Sequence, residues 1–453
     1  MSTTVSGSAS VGKIDAQPAF SLWRALKLGS FHIGSSLTDL LTSAVWNRVL
    51  IVELGVAAWP VALLSALRYL LAPVTLWAGH RSDTRPILGS RRLAYIWLGR
   101  LLMWISLPLL PLSAVWIGRG GGPEGWALAV ASFLVYGVGT LISGAPFLAL
   151  VHDSAPYERR GQAISVVQFM LVISFAFIPA LYAGLMPSYS PALFWRIVWI
   201  AMAGAAFFWI FAVIGEERRG MEAEADAPPW RETLAEIWSD RRARRYGLYL
   251  AAAAFFAFMQ DAILEPFGGD VFGLSVGETT RFNAYWGVGV LMGMVGTYLA
   301  TRRRRPDQQV PTTIIGMAWL GLSVALIGIA SWAEALTWLR PLLILFGLGF
   351  GVFTVGGVSL LMAMSTERRA GSYLAMWSVI QLLARGLGIA FGGLMRDVAM
   401  QIAEAPAAAY GIVFWLEALG IGVAILLLLR VDVAGFARQR HLSASDLASA
   451  LAD

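Results

Sequence analysis

The sequence predicts an all-α membrane protein of about twelve transmembrane helices, arranged as two related halves of six. Its 453 residues are 58% hydrophobic and 14% charged, whereas a soluble chain carries roughly a quarter charged residues. The apolar residues fall in blocks of about twenty, the helix length that crosses a bilayer core of about 30 Å. Because lipid offers the backbone no hydrogen-bond partner, these blocks must be helical.

The predicted helices are separated by short polar loops and, in the middle of the chain, by one long charged segment. The first six helices are expected near residues 28–50, 56–78, 94–117, 126–151, 164–186 and 194–214. The second six are expected near residues 247–267, 282–300, 312–332, 336–364, 373–395 and 409–429. The domain plan is then an N-terminal tail (1–27), halves over 28–214 and 247–430, a linker (215–246) and a C-terminal tail (431–453). Within the linker, residues 230–246 are expected to form an amphipathic helix on the membrane surface.

The distribution of positive charge indicates the orientation of these helices. Cations concentrate in the tails, the linker and alternate loops, as at Arg302 to Arg305, whereas the intervening loops hold few, such as Arg119. Cation-rich short loops stay in the cytoplasm, so both termini are expected to be cytoplasmic. Topology alone accounts for the net charge of +6, and we therefore expect membrane lipids but no nucleic acid as partners.

The sequence lacks the usual signatures of an enzyme. It has no cysteine, which excludes disulfides, thiolate metal sites and cysteine nucleophiles. It also shows no nucleotide-binding loop and no cluster of metal ligands, and the glycines at 347–351 and 386–393 lie inside apolar helices. In such helices small residues permit close packing. We therefore expect neither catalytic activity nor a metal site.

The two halves share features at an offset of about 210 residues. The sequence Glu158-Arg159-Arg160-Gly161 joins the predicted fourth and fifth helices, and Glu367-Arg368-Arg369-Ala370-Gly371 joins the tenth and eleventh. A basic loop also follows both the second and the eighth helix. Repeated halves of six helices are typical of a large class of membrane transporters.

A signature motif lies in the loop after the second helix. This loop runs from Gly79 through Asp83 to Gly89, Arg91 and Arg92. It resembles the signature loop of the major facilitator superfamily, although it carries extra residues between Asp83 and Gly89. The resemblance implies the facilitator fold. It also implies that Asp83, Arg91 and Arg92 form a cytoplasmic latch.

Polar and ionisable residues inside the helices are candidates for function, because each charge costs roughly 2.5–3.5 kcal/mol on insertion scales. They are His32, Asp39, Asn47 and Arg48, with Glu53 following, in the first helix, Arg68 in the second, Gln260, Asp261 and Glu265 in the seventh, and Arg385 in the eleventh. In the facilitator fold the first and seventh helices face each other, so we expect Arg48 to pair with Asp261 or Glu265. The alternative is that these charges only lock the halves together.

Four stretches are more specific than the general facilitator layout. They are Asn47-Arg48-Val-Leu-Ile-Val-Glu53-Leu-Gly55, Arg81-Ser82-Asp83-Thr84, Arg91-Arg92-Leu-Ala-Tyr95-Ile-Trp97-Leu-Gly99 and Gln260-Asp261-Ala-Ile-Leu264-Glu265-Pro266-Phe-Gly268-Gly269-Asp-Val-Phe272-Gly273. These stretches resemble the PucC/LhaA family of light-harvesting complex assembly proteins from phototrophic bacteria. The last stretch is the most specific, because a general sugar or drug transporter has no reason to keep it.

The resemblance implies a role in assembling antenna complexes, by delivering bacteriochlorophyll to antenna polypeptides or by chaperoning those polypeptides. It implies antenna polypeptides and pigment-synthesis enzymes as partners, and a location in the bacterial inner (intracytoplasmic) membrane. The family-specific polar site would consist of Asn47, Arg48, Glu53, Gln260, Asp261 and Glu265. An imidazole is a common axial ligand of a chlorin magnesium, and His32 is the candidate for that position near membrane depth.

Two alternatives to an assembly factor remain open on the sequence. One is a secondary transporter of a small solute, coupled to protons through Asp39, Asp261 or Glu265. The other is a structural scaffold in which the buried charges hold one conformation. The proton-coupled transporter predicts solute flux that collapses when one of these carboxylates is neutralised, whereas the scaffold predicts that charge-neutral pairs of similar volume preserve function.

Overall fold

The structure is a computed structural model that describes residues 21–84, 87, 90, 92–120, 122–156, 159–216, 238–365 and 370–436. The first half comprises α1 (segments Leu22–Gly29, Phe31–Leu40, Leu41–Val45, Trp46–Arg48 and Val49–Glu53), α2 (Ala58–Leu70 and Pro73–Thr84), α3 (Leu93–Ser106 and Leu109–Gly118), α4 (Pro123–Asp153), α5 (Arg160–Leu185) and α6 (Pro191–Val213). The second half comprises α7 (Arg241–Ala257, Met259–Ala262 and Leu264–Phe272), α8 (Val276–Thr301), α9 (Val310–Trp332), α10 (Leu336–Ala363), α11 (Ala370–Ile402) and α12 (Pro406–Leu429).

Most of these elements have the length and apolar composition of membrane spans. Nine helices in the described ranges meet that description, and the bent α7 makes ten. The other two differ for local reasons. α1 is divided by π-helical stretches at Leu41–Val45 and Val49–Glu53, and α8 begins with a polar stretch that contains Glu278 and Arg281. The predicted all-α, multi-pass membrane fold of about twelve spans is confirmed.

The first helix begins earlier than the sequence predicts, at Leu22 instead of residue 28. Its first turns contain Arg24 and Lys27, and a search for uncharged apolar blocks therefore does not include them in the helix. In the structure both cations bind the carboxylate of Glu216 beyond the end of α6, at 2.5 and 2.8 Å. The pairing lets a charged segment continue the helix, so the tail predicted over 1–27 is shorter than expected.

The seventh helix also begins earlier, at Arg241 instead of residue 247. The side chain of Asp240 caps it by accepting hydrogen bonds from the backbone N–H groups of Arg242 and Ala243. Residues 241–246 are therefore the first turns of α7, and the separate surface helix predicted over 230–246 is wrong in that part. The rest of that prediction, up to residue 237, lies outside the described residues.

The two halves meet along two helix pairs, α2 with α11 and α5 with α8. Since α2 corresponds to α8 and α5 to α11, exchanging the halves exchanges these pairs, as expected of a duplicated chain. The start of α1 lies beside the end of α6, and the start of α7 beside the end of α12; this end of the bundle is here called the proximal end, and the opposite end is the distal end. Close contacts between halves occur in the distal part, where Gly393 meets Ala58 and Ala62, and Gly277 meets Ala183.

Glycines inside the helices allow close packing, as the sequence predicts. Gly388 and Gly392 of α11 lie against the backbone oxygens of Phe255 and Met259 on α7. Gly347 of α10 lies against the backbone of α8 in the same way. Small residues at these crossings bring the helix backbones together, which is how membrane helices gain packing energy in lipid.

The variant Gly388→Ala is expected to lower the free energy of unfolding by about 1–3 kcal/mol. The added methyl group would overlap the carbonyl oxygen of Phe255 and push α7 away from α11. Gly422→Ala is the matched control, because a methyl group there meets no atom within 4 Å, and it should change stability by no more than about 1 kcal/mol. Detergent denaturation of the purified variants measures both values. Equal effects at the two positions would contradict close packing at Gly388.

Candidate functional site between the two halves

The two helices that carry most of the candidate residues, α1 and α7, are both irregular in the middle of the bundle. Widened π-helical turns begin in α1 at Leu41, just after Asp39. In α7, a 3₁₀ turn at Met259–Ala262 contains Asp261 and separates two arms that are bent by 43°. Discontinuous helices at mid-membrane depth are a common feature of binding sites in two-half membrane proteins.

A central cluster of charged and aromatic side chains lies at the contact between halves. In the first half, Asp39 Oδ1 accepts hydrogen bonds from Arg68 Nη1 at 2.9 Å and from the Tyr136 hydroxyl at 2.6 Å. Arg68 also donates to the hydroxyl of its neighbour Tyr69 at 2.7 Å. Side chains of α2 and α4 thereby hold the Asp39 carboxylate of α1, and the positive charge of Arg68 balances its negative charge.

The second half contributes an equivalent pair to the central cluster. Arg385 of α11 donates to Asp261 Oδ2 of α7 at 2.7 Å. The Arg385 guanidinium also lies 4.4 Å from the ring centre of Tyr69 and 3.8 Å from that of Phe258. The Arg68 guanidinium lies 4.7 Å from the centre of the same Tyr69 ring, so Tyr69 connects the two ion pairs through cation–π interactions.

The central cluster is only partly buried. Its four charged side chains are between 14% and 28% exposed; they belong to Asp39, Arg68, Asp261 and Arg385. Charged side chains at membrane depth usually face the interior of a bundle or a water-filled space. The arrangement can therefore bind a polar or charged group that enters between the halves, or exchange partners when the halves move.

A second, distal cluster consists of Arg48, Glu53, Asp270, Arg396, Asp397 and Tyr410. Asp270 Oδ2 of α7 accepts from Arg396 Nη2 at 2.6 Å and from the Tyr410 hydroxyl at 2.7 Å. Arg396 also donates to Asp397 Oδ1 at 2.9 Å. These contacts tie α7, α11 and α12 together within the second half.

The distal cluster also joins the two halves. The Asp397 carboxylate of α11 accepts from the backbone N–H groups of Ala58 at 2.9 Å and Trp59 at 2.7 Å. These groups begin α2, so a carboxylate of one half caps a helix of the other, where it also complements the positive end of the helix dipole. From the first half, Arg48 donates to the carbonyl oxygen of Leu274, after α7, at 2.8 Å.

The ion pair predicted for Arg48 is wrong in this conformation. Arg48 binds Glu53 at 3.0 Å, one turn along its own helix, and the carboxylate of Asp261 binds Arg385 instead. Arg48 nevertheless reaches α7, because a methyl group on Gly269 would lie 2.6 Å from its Cζ atom. The glycine therefore makes room for the guanidinium, and the expected contact between α1 and α7 involves backbone instead of a carboxylate.

The other members of the predicted polar site are separated from each other. Asn47 is fully buried and accepts from Ser65 of α2 at 3.1 Å, so it joins two helices of one half. Glu265 is buried against α8, where it accepts from Asn283 at 2.5 Å. Gln260 is buried beside Asp261, with its Nε2 atom 3.5 Å from Asp261 Oδ1. The six predicted residues thus divide between the distal cluster, the α7 break and helix packing.

The remaining predicted residues lie towards the proximal end. Arg92, at the start of α3, binds Asp153 at the end of α4 at 2.6 Å. The side chain of Asp83 and all of Arg91 lie outside the described residues. His32 lies in an aromatic layer, edge-on to Phe147 with ring centres 5.5 Å apart. Within the described ranges, no group of three or more histidine and acidic residues is arranged to hold a metal ion.

The sequence analysis did not single out the residues Tyr69 and Tyr136 of the central cluster, Asp270, Arg396, Asp397 and Tyr410 of the distal cluster, or the buried Glu417. Asp270, Arg396 and Asp397 lie just beyond the predicted ends of the seventh and eleventh helices, so the search for charges inside helices did not include them. The structure extends both helices to include them. Glu417 lies in the middle of the twelfth helix, where the criterion that singled out Asp261 also applies.

Comparison with known proteins identifies the family. The family model described as "PUCC protein" matches residues 45–436. A protein of Rhodobacter capsulatus described as uncharacterized, in the puhA-bchM intergenic region, is 32% identical over 87% of this chain and 84% of its own length. Protein PucC of Cereibacter sphaeroides is 29% identical over 88% of this chain and 89% of its own length. The "Bacteriochlorophyll synthase 44.5 kDa chain" of Rhodobacter capsulatus is 30% identical over 88% of this chain and 93% of its own length.

Solved structures support the fold. A D-xylose-proton symporter superposes with a TM-score of 0.66 at 16% identity, over 90% of this chain and 96% of the symporter. A bacterial homologue of the iron transporter ferroportin gives 0.65 at 15% identity, over 91% and 99%. The two-half architecture is thus that of the major facilitator transporters, and the chain belongs to the PUCC protein family.

Proposed function

We propose that this protein is an assembly factor for bacterial light-harvesting complexes. It would deliver bacteriochlorophyll to antenna polypeptides in the membrane, or chaperone those polypeptides while the complex forms. The observation that carries the proposal is the family match over residues 45–436. It covers both charged clusters except Asp39, and the most specific stretch, residues 260–273, includes the α7 break and Gly269, against which Arg48 lies.

The proposal includes a client pigment and protein partners. Bacteriochlorophyll would enter as a client, with His32 as the candidate ligand to its magnesium. Antenna polypeptides, pigment-synthesis enzymes and membrane lipids are the proposed partners. The proposed location is the inner (intracytoplasmic) membrane with both termini in the cytoplasm, which the concentration of arginine in the linker and alternate loops supports.

We also propose that the protein carries out no covalent chemistry of its own. One relative has a synthase name, so this proposal needs a direct test. Purified protein supplied with bacteriochlorophyllide and an activated isoprenoid alcohol should form no esterified pigment. Formation of that product at a rate above a heat-inactivated control would contradict the proposal.

A secondary transporter is the alternative function. It is favoured by the ion pairs Asp39–Arg68 and Asp261–Arg385, which lie at the contact between halves and remain partly exposed. In this case proteoliposomes would show solute flux that collapses when Asp39, Asp261 or Glu265 is neutralised. Glu404→Gln, at an exposed position between α11 and α12, is the matched control.

Deleting the gene from a phototrophic host tests the assembly proposal. The deletion strain should lose most of the near-infrared absorption of at least one antenna complex, and the wild-type gene should restore it. Tagged protein purified gently from these cells should carry bacteriochlorophyll or antenna polypeptides. Normal antenna absorption in the deletion strain, together with colourless protein free of antenna polypeptides, would contradict the proposal and favour transport.

A further inference from the structure

A fully buried carboxyl group, that of Glu417, lies on the inner face of α12. Three residues before it, Phe414 packs against Phe267 of α7, with ring centres 5.0 Å apart. Three residues after it, Gly420 lies against the ring of Phe256. Residues three apart share a helix face, so Glu417 faces α7 between these two contacts, at the break between its arms.

No described group balances a negative charge on Glu417. Neither of its carboxyl oxygens has a hydrogen-bond partner among the described residues. The charged neighbour that acts on it is Asp261, which has the same sign. Burying an unpaired carboxylate is so costly that such a group takes up a proton instead.

The other elements that pack against α12 supply no counter-ion either. α9 has no titratable residue between Val310 and Trp332. The two arginines of α11 that face α7 are engaged elsewhere, Arg385 by Asp261 and Arg396 by Asp270. Glu265, a buried carboxyl of α7, binds Asn283 of α8 and supplies no cation. The surroundings of Glu417 therefore favour its neutral form from every side.

We propose that Glu417 is a proton-binding site, which holds its proton while the break of α7 packs against α12. Loss of the proton would place a second negative charge beside Asp261 and weaken the packing of α7 on α12. Proton binding at Glu417 would thus stabilise the arrangement in which Asp261 binds Arg385. This inference goes beyond the proposed function, because it depends on neither pigment nor antenna polypeptides.

Infrared spectroscopy of the purified full-length protein tests the proposal directly. A protonated carboxyl group has a carbonyl stretching band that a carboxylate lacks, and the band shifts in D₂O. At neutral pH the wild-type protein should show this band, and Glu417→Gln should lose the part that Glu417 contributes. Glu404→Gln, at an exposed site, should leave the band unchanged. A band of equal area in wild type and Glu417→Gln would overturn the proposal.

A titration of the wild-type protein provides a measurement that does not depend on how the variant folds. The neutral-carboxyl band should persist as the pH rises past about 4.3, where exposed glutamates ionise. Loss of the entire band in that range would overturn the proposal. Glu265→Gln separates the contributions of the two buried carboxyls, since the part of the band that remains in this variant should disappear when Glu417→Gln is added.

Discussion

Replacing Arg396 by methionine is expected to lower the free energy of unfolding by about 3–5 kcal/mol, the usual cost of breaking a buried ion pair from one side. Arg396 and Asp270 are 10% and 15% exposed and lie 2.6 Å apart. Without the guanidinium, the Asp270 carboxylate keeps one donor, the hydroxyl of Tyr410. The nearest remaining cation in the distal cluster, Arg48, is already bound to Glu53, so the charge of Asp270 loses its direct counter-ion at the contact of α7, α11 and α12. Denaturation of the purified protein in detergent measures the loss.

The double variant Arg396→Met with Asp270→Asn shows whether the loss of stability comes from the unpaired charge of Asp270 or from the lost packing of the Arg396 side chain. Removing both charges should recover most of the stability, because a neutral amide in place of the carboxylate has a far smaller burial cost. Arg305→Met is the matched control, since Arg305 binds Asp307 with 64% of its side chain exposed, and such surface pairs contribute about 0–1 kcal/mol. A double variant as unstable as the single one would show that the charge of Asp270 is not the cause.

The fold of this protein is largely readable from its sequence, whereas the partners of its buried charges are not. Apolar blocks report burial in lipid, and each of the twelve predicted blocks overlaps a helix of the structure. They fail at Leu22–Gly29, because Arg24 and Lys27 look like tail residues until Glu216 is known to receive them. Pairing between residues almost two hundred positions apart leaves no local pattern in the chain.

The candidate site shows the same division. The cost of charge in lipid singled out Asp39, Arg68, Asp261 and Arg385, and the structure places all four in the central cluster. Symmetry between halves also suggested that Arg48 meets a carboxylate of α7. In the structure Asp261 lies in the 3₁₀ turn Met259–Ala262 and binds Arg385, and the backbone carbonyl of Leu274 accepts from Arg48 instead. The residues that face a neighbouring helix cannot be predicted by helical spacing beyond a break that has no recognisable pattern in the sequence.

Neutralising one partner of the Asp261–Arg385 pair is expected to have the largest effect on antenna assembly. Each side chain is 28% exposed. Leaving one charge without its partner should therefore lower the free energy of unfolding by about 2 kcal/mol, the low end of the cost of breaking a hydrogen-bonded charge pair. We expect Asp261→Asn and Arg385→Gln each to lose most of the antenna absorption when they replace the wild-type gene. Absorption spectra of membranes, normalised to the amount of the variant protein, measure this loss.

The neutral double variant, Asp261→Asn with Arg385→Gln, then decides what the pair is for. If the charges only lock the halves together, amides of similar volume should restore both stability and antenna absorption, as the scaffold alternative requires. If the charges act on a client or on a proton, the double variant should recover stability and remain defective in assembly, which is the outcome we expect. Neutralising the surface pair Arg305 and Asp307 is the control for general effects of lost charge. Because the pair joins α7 to α11 while Arg385 also stacks on Tyr69 of the other half, stability and assembly can separate only if the charges themselves take part in function.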